Sequence, residues 1–391
     1  MNRWRGVNLG NWLVLEKWMS PALFADTDAE DEYYLARTLP PEIYKARMEI
    51  HRSSYITERD FARIAEIGLN AVRIPIPYFI WGDRPPFPGC LTELDHAFDW
   101  AEKYGLRILI DLHTVPLSQN GFDNGGICGV CRWSQTPEEV EFVLTLLEKL
   151  ARRYGKRPGL MGIEPINEPV TEPAWTTMGV PARYPARDPA LAAGSAPNTL
   201  EFVQGFYAEA YRRIRPHLSD DQYVVFHDAF QLDAWEPFFR DGNYKNVILD
   251  THQYLMMAEM QGCPQTLEGY EAFIRGNIAP KIAAVQKYVD VICGEWCLFN
   301  SYAVGSDTQG GKANFEEAAA QPDSRFAPEQ LRQIYRRLAQ VQTEAWAQGS
   351  GYFYWSYKLL LDTVHQKNWQ GWDCWDLGKS VSLGWFPTPA E

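Results

Sequence analysis

Short apolar runs alternate with longer amphipathic stretches along the whole chain. The runs read as buried strands over Trp4–Asn8, Ala71–Ile74, Arg107–Leu112, Leu160–Ile166, Tyr223–His227, Val247–His252, Val291–Glu295 and Gly351–Trp355. Helix-period patterns lie between them. One is "TERDFARIAEIG", where Thr57 and Asp60 have capping-box spacing; others begin near Leu91, Pro137, Thr199, Thr266 and Pro328. Eight strands alternating with helices imply a parallel sheet. Over 391 residues this predicts an α/β fold closed into a (β/α)8 TIM barrel, with residues 1–391 as one catalytic domain. An open doubly wound sheet would be expected to carry a G-x-G-x-x-G loop after its first strand, and "GVNLGNW" is not one.

Three connections are too long for simple crossings: Ser20–Ser54, Val115–Trp133 and Thr171–Pro197. Each follows a strand. On a barrel all three crowd the C-terminal face, where long loops shape a binding site.

The strand ends carry the chemistry. In chain order they present Asn8 (with Glu16 in the following loop), Arg73, Asp111 with His113, and Asn167 with Glu168. His227 with Asp228, His252 with Tyr254, Glu295 with Trp296, and Trp355 follow. One such histidine is most simply a core residue; recurrence at the same end of successive strands points to a site.

The stretch "GIEPINEP" holds two of the acids. Pro165 has no N–H for a sheet ladder and Pro169 ends the segment, so Glu168 is expected to project into the barrel mouth. Glu164, four residues earlier, is expected deeper, as a barrel-layer acid or structural ion pair. Glu168 and Glu295 then face each other across the mouth. Two carboxyls about 5–5.5 Å apart suit a retaining glycosidase, one as nucleophile and one as acid/base. Glu168 is expected to be protonated, its pKa raised by the Glu295 anion. Cys293, Glu295 and Cys297 alternate, which in continuous strand would put them on one face.

Aromatic residues add to this picture. Of fifteen tryptophans, Trp133, Trp296, Trp355, Trp369, Trp372 and Trp375 fall in or beside loops and strand ends. Trp355 is the first candidate for a platform under the flat face of a sugar, followed by Trp372 and Trp375.

A formal net charge of −13 argues against nucleic acid and anionic membranes as partners, and no apolar run approaches a membrane span. Seven cysteines, an odd number, suit reduced thiols. Cys128-x-x-Cys131 has no second pair at zinc-like spacing, so neither metal nor cofactor is expected. The opening "MNRWRGVNLGNWLVLEKWM" lacks signal-peptide character, which suggests a cytoplasmic protein. The Trp-rich loops leave room for a homo-oligomer.

Seven segments in order carry a family resemblance: "RGVNLGNWLVLEKWMSPALF", "GLNAVRIPI", "ILIDLHTVPLSQNGFDNGG", "GIEPINEP", "DTHQY", "ICGEW" and "GYFYWSYK". Together they resemble glycoside hydrolase family 5, in the clan of retaining (β/α)8 enzymes. The resemblance implies Glu168 as acid/base and Glu295 as nucleophile, with Arg73 and Tyr254 keeping the nucleophile ionised. It implies Asn167 on the sugar 2-hydroxyl, His113 and His252 lining the subsite of the cleaved sugar, and Trp355 as its floor. Glu16 matches an acid that bonds the terminal sugar in the exo-acting branch. In the tail, Trp372 and Asp373 are placed with the substrate-binding residues.

The first and third segments are most similar to exo-β-1,3-glucanases. Asn11 in place of a glycine, the insertion "GICGVCRW" and the tail "NWQGWDCWDLGKS" lean instead toward bacterial β-mannosidases acting on Man-β-1,4-GlcNAc. The expectation is therefore a retaining exo-β-glycosidase acting on short β-linked oligosaccharides, with mannose favoured and β-glucose the alternative. A non-catalytic sugar-binding barrel would be favoured by loss of a carboxylate, and both are present.

Overall fold

The computed structural model describes residues 3–304, 326–363 and 371–387. Eight strands form a closed barrel in sequence order, every neighbouring pair parallel. They are β1 (Trp4–Asn8), β2 (Ala71–Ile76), β3 (Arg107–Leu112), β4 (Leu160–Glu164), β5 (Tyr223–His227), β6 (Val247–His252), β7 (Asp290–Trp296) and β8 (Gly351–Tyr354). β4 stops two residues short of the expected Ile166, immediately before Pro165, which cannot donate to the ladder.

The helices expected from periodicity are present at Glu58–Glu66, Leu91–Tyr104, Pro137–Tyr154, Leu200–Ile214, Leu267–Phe273 and Pro328–Trp346. The Thr57 backbone N–H donates to Asp60 at 2.8 Å, closing the start of the first of these. The helices pack on the outside of the strands through one large apolar cluster. A second cluster, with Ala71, Leu109, Met161, Val225, Ile248, Ile292 and Phe353, plugs the barrel interior. The barrel is thus a filled core, and its open end lies at the strand C-termini.

The long connections are more structured than their polarity suggests. Ser20–Ser54 holds the helices Glu32–Thr38 and Pro41–Tyr55, and Thr171–Pro197 holds short helices at Glu172–Thr177, Val180–Arg183 and Pro189–Ala192. They also bind one another. Arg187 pairs with Asp28 at 2.7 Å and Glu30 at 3.1 Å, and the Cys128 N–H donates to Asp31 at 2.8 Å. These contacts join the loops after β1, β3 and β4 into one rim.

The expected alternation of Cys293, Glu295 and Cys297 is broken. The β6–β7 register jumps from Thr251↔Cys293 to His252↔Glu295, leaving Gly294 as an extra residue. Cys293 and Cys297 lie in the outer apolar cluster while Glu295 meets Arg73 inside the mouth. A bulge of this kind re-aims a side chain. Glycine is required at its centre, because a Cβ there would stand 1.9 Å from the Asp250 carboxylate.

Candidate active site

Just above the apolar plug, the barrel interior becomes ionic. Arg73 of β2 is fully buried at its centre. Its guanidinium donates to Glu164 (2.8 Å), Asn8 Oδ1 (3.0 Å), Glu295 (2.8 Å) and Asn167 Oδ1 (2.7 Å). It also lies 3.2 Å from Asp111 and 3.9 Å from Asp250. Burial opposes this charge, but the surrounding carboxylates outweigh burial and hold the guanidinium firmly protonated. Glu164 is therefore a buried ion-pair partner, as expected. Burial drives its carboxyl well above the ordinary value, with Arg73 pulling the other way.

The two mouth glutamates stand above this layer. Glu295 is gripped by Arg73 and by the Tyr254 hydroxyl, which donates at 2.7 Å. Glu168 receives hydrogen bonds from His252 Nδ1 at 2.8 Å and Asn124 Nδ2 at 2.9 Å. Its backbone sits at φ +44°, in the left-handed region that non-glycine residues rarely adopt. Such strain costs of order 1–3 kcal/mol and persists where surrounding structure enforces it.

His252 lies between the acids. Its Nδ1 is 2.8 Å from Glu168 Oε1 and 3.5 Å from Glu295 Oε2. Those two oxygens are consequently no more than about 6.3 Å apart, below the separations of about 6.5–9.5 Å that inverting enzymes need.

The charges differ from expectation. Burial alone would raise Glu168, but the His252 hydrogen bond and charge, with Asn124, bring its carboxyl below the ordinary value. Glu295 goes the other way: burial and the Glu168 charge leave it raised despite His252 and Arg73. Burial disfavours the His252 cation, yet Glu295, Asp250 and Glu168 together lift its pKa well above 6.5. The surroundings thus favour the charged forms of both His252 and Glu168.

The remaining expected residues divide by position. Glu16, Trp355, Trp372 and Trp375 line the same cavity as Glu168, Tyr254 and Glu295. Asn167 and His113 are fully buried behind it. His113 Nδ1 meets Asp111 at 2.6 Å, and its ring stacks under Trp355 at 5.6 Å. Glu16 accepts from Trp18 Nε1 at 2.7 Å, and burial, then the Asp123 charge, push its carboxyl well up. Asn11 is at φ +61°, where asparagine can stand in for glycine, and its Oδ1 receives the Glu16 N–H at 3.0 Å.

Asp373 does not join them. Its carboxylate is tied to Lys379 at 2.8 Å and faces a separate groove beside Tyr335 and Trp385. Trp133 and Trp296 are buried in apolar packing, against Phe206 and Trp346 respectively, and are not platforms. Trp369 lies outside the described residues.

Sequence reasoning passed over Trp18, Phe122, Asn124, Tyr184, Phe230 and Phe299, which also line the cavity. Asn124 had a signal, as a polar residue in the Asn/Gly-rich loop after β3. Among the described residues, Glu164–Asp250–His252 and Glu168–His227–His252 bring possible metal ligands within 4.8 Å. In the first, the Arg73 cation already faces both carboxylates. In the second, His227 Nδ1 is taken by the Ala229 N–H and His252 Nδ1 by Glu168.

Known proteins are similar to this chain in sequence and in fold. "Probable glucan 1,3-beta-glucosidase A" of Emericella nidulans is 32% identical, over 98% of this chain and 90% of that protein. "Glucan 1,3-beta-glucosidase 1" of Schizosaccharomyces pombe is 30% identical, over 98% of this chain and 88% of that protein. The crystal structure of rutinosidase from Aspergillus niger superposes with a TM-score of 0.72 at 20% identity, covering 99% of this chain and 98% of that one, a likeness of fold. The sequence model of the cellulase family, glycosyl hydrolase family 5, matches residues 42–321. With that match over most of its length, on a closed (β/α)8 barrel, the chain belongs to glycoside hydrolase family 5.

Proposed function

We propose that the protein is a retaining, exo-acting β-glucosidase that removes terminal glucose from short β-1,3-linked glucosides. The observation that carries the mechanism is His252 Nδ1, within 3.5 Å of both glutamates, which confines them to a separation suited to double displacement. Glu295, fixed by Arg73 and Tyr254, attacks the anomeric carbon. Glu168 protonates the departing oxygen and then activates water from the same position. Its proton comes from His252 along their 2.8 Å hydrogen bond. Asn167, held by Arg73, receives the 2-hydroxyl, and Trp355 supports the ring.

Exo action is supported by the wall made of Glu16, Trp18 and Trp372. A chain continuing past Glu16 would strip its buried carboxyl of hydroxyl partners, at a cost of about 1–3 kcal/mol. The glucose assignment is supported by the names of the relatives, which favour the glucoside branch over the mannoside branch toward which the loop insertions lean. Laminari-oligosaccharides and Man-β-1,4-GlcNAc, assayed side by side with early product analysis, test it. Single glucose units released from laminaritriose support the proposal. Mannose release without glucose release, or internal cleavage of laminarin, would overturn it.

A further inference from the structure

The mechanism above leaves one buried histidine unused. His227, the last residue of β5, is fully buried. Its ring lies edge-to-face with His252, the centres 4.4 Å apart and the planes at 83°. Phe230 also packs against it, at 5.0 Å. The ring is tethered as well. Ala229 and Phe230 both stand at positive φ, +52° and +59°, and their turn brings the Ala229 N–H back to His227 Nδ1 at 3.0 Å. Two successive non-glycine residues in the left-handed region are strained, and Asp228 helps hold them there by accepting the Phe230 N–H at 2.8 Å. An Nδ1 that accepts a hydrogen bond carries no proton, so the neutral ring has its hydrogen on Nε2. Nε2 has no hydrogen-bond partner among the described residues, which leaves the tether and the ring contacts to orient the imidazole. Burial, then the His252 and Arg73 charges, hold its pKa well below 6.5, so it stays neutral beside the His252 cation.

This ring packs where a proton donor must be aimed. His252 Nδ1 has two acids in front of it, Glu168 at 2.8 Å and Glu295 at 3.5 Å. A tilt that moved Nδ1 by less than about 1 Å would exchange the hydrogen-bonded partner. The other charges around His252 come from Asp250, 3.5 Å from Nε2, from Asp228, and from Arg73, which faces Asp250 and Glu295. Charges attract a proton but do not fix the plane of a ring; a perpendicular ring in contact does. We propose that His227 is a positioning residue, a neutral tethered ring that holds the His252 imidazole so that Nδ1 serves Glu168 and not Glu295. This rests on the reading of Glu168 as acid/base and Glu295 as nucleophile.

Two variants separate the ring from its tether. His227→Asn can still accept the Ala229 N–H but removes the ring, and His227→Phe keeps a ring. With His252 free to tilt toward Glu295, His227→Asn should lower kcat/KM for ethyl β-glucoside by about tenfold or more. For 2,4-dinitrophenyl β-glucoside, whose phenolate departs without a proton, the loss should be about threefold or less. The acid limb of kcat/KM should move to lower pH by about half a unit or more, because the His252 cation then bonds the nucleophile. The other groups that face Glu295, namely Arg73, Tyr254, Glu168, His113 and Glu16, are the same in both variants. His227→Phe should change both readouts less than His227→Asn. Equal losses for the two glucosides with the limb unmoved would make His227 a packing residue and overturn the inference, as would His227→Phe losing as much as His227→Asn. If the variants do not fold, nitrogen-15 NMR of the imidazoles in the wild-type protein decides. A His227 protonated on Nε2 alone from about pH 5 to pH 8 upholds the inference, and one that titrates in that range, or carries its proton on Nδ1, overturns it. If the wild-type enzyme turns over no glucoside, the reaction reading has failed instead, and the same NMR measurement decides for His227.

Discussion

At the scale of single residues, the site is a contest over one proton. Glu168 is hydrogen-bonded to His252 Nδ1, Glu295 lies 3.5 Å from the same nitrogen, and Arg73 supplies the balancing charge from below. The proposed mechanism requires Glu295 ionised and the His252–Glu168 pair protonated. Glu295 is raised above 4.5, so the acid limb of kcat/KM should fall above that value; His252 is raised well above 6.5, so the basic limb should fall above 6.5. Removing the imidazole in His252→Gln forces the proton onto Glu168 itself. The basic limb should then move to lower pH by about one unit or more, and a basic limb that stays put would show that His252 does not store the proton. A second variant isolates proton donation. Glu168→Ala should slow glucosides with poor leaving groups by about 10²–10⁴-fold while sparing activated aryl glucosides. Equal losses for both would remove Glu168 from the acid role.

At the scale of elements, the site depends on where strands stop and how loops are pinned. Much of this was legible in sequence. The run of polar residues after successive strands marked the mouth, although β4 ends before Pro165 and not at the expected Ile166. The bulge at Gly294 was not legible, because a period-two pattern looks the same with or without an extra residue until its pairing partner is known. Nor was the reversal at Glu168, since its charge state follows from the placement of His252, 84 residues away in the chain. Asp373 failed for a related reason: proximity to Trp372 in sequence says nothing of which side of the turn faces the cavity.

Asp31 shows how the rim is held. It caps the helix Glu32–Thr38 through the Tyr34 N–H at 2.9 Å and accepts the Cys128 N–H of the β3 loop at 2.8 Å. Asp31→Ala removes a cap worth about 1 kcal/mol and strands a buried donor at about 1–3 kcal/mol. Urea denaturation should therefore show a loss of about 2–4 kcal/mol, with reduced activity. Arg187→Ala, which breaks exposed ion pairs in the same rim, should leave the midpoint nearly unchanged. Equal effects of the two variants would contradict this division.

At the scale of the whole molecule, eight parallel strands bring acids from positions 168 and 295 to one opening, and three pinned loops wall it. The barrel follows directly from the alternation of strands and helices. The lining of its mouth does not, because Trp18, Phe122, Tyr184 and Phe230 come from four separate loops and carry no common motif. The central claim is that Glu295 forms a covalent bond to the sugar. Incubation with 2-deoxy-2-fluoro-β-glucosyl fluoride, followed by intact mass and peptide mapping, tests it most directly. The account predicts inactivation with one fluoroglucosyl group added, on the peptide containing Glu295. An adduct on Glu168 or any other residue, or turnover that gives the inverted sugar with no adduct, would contradict it.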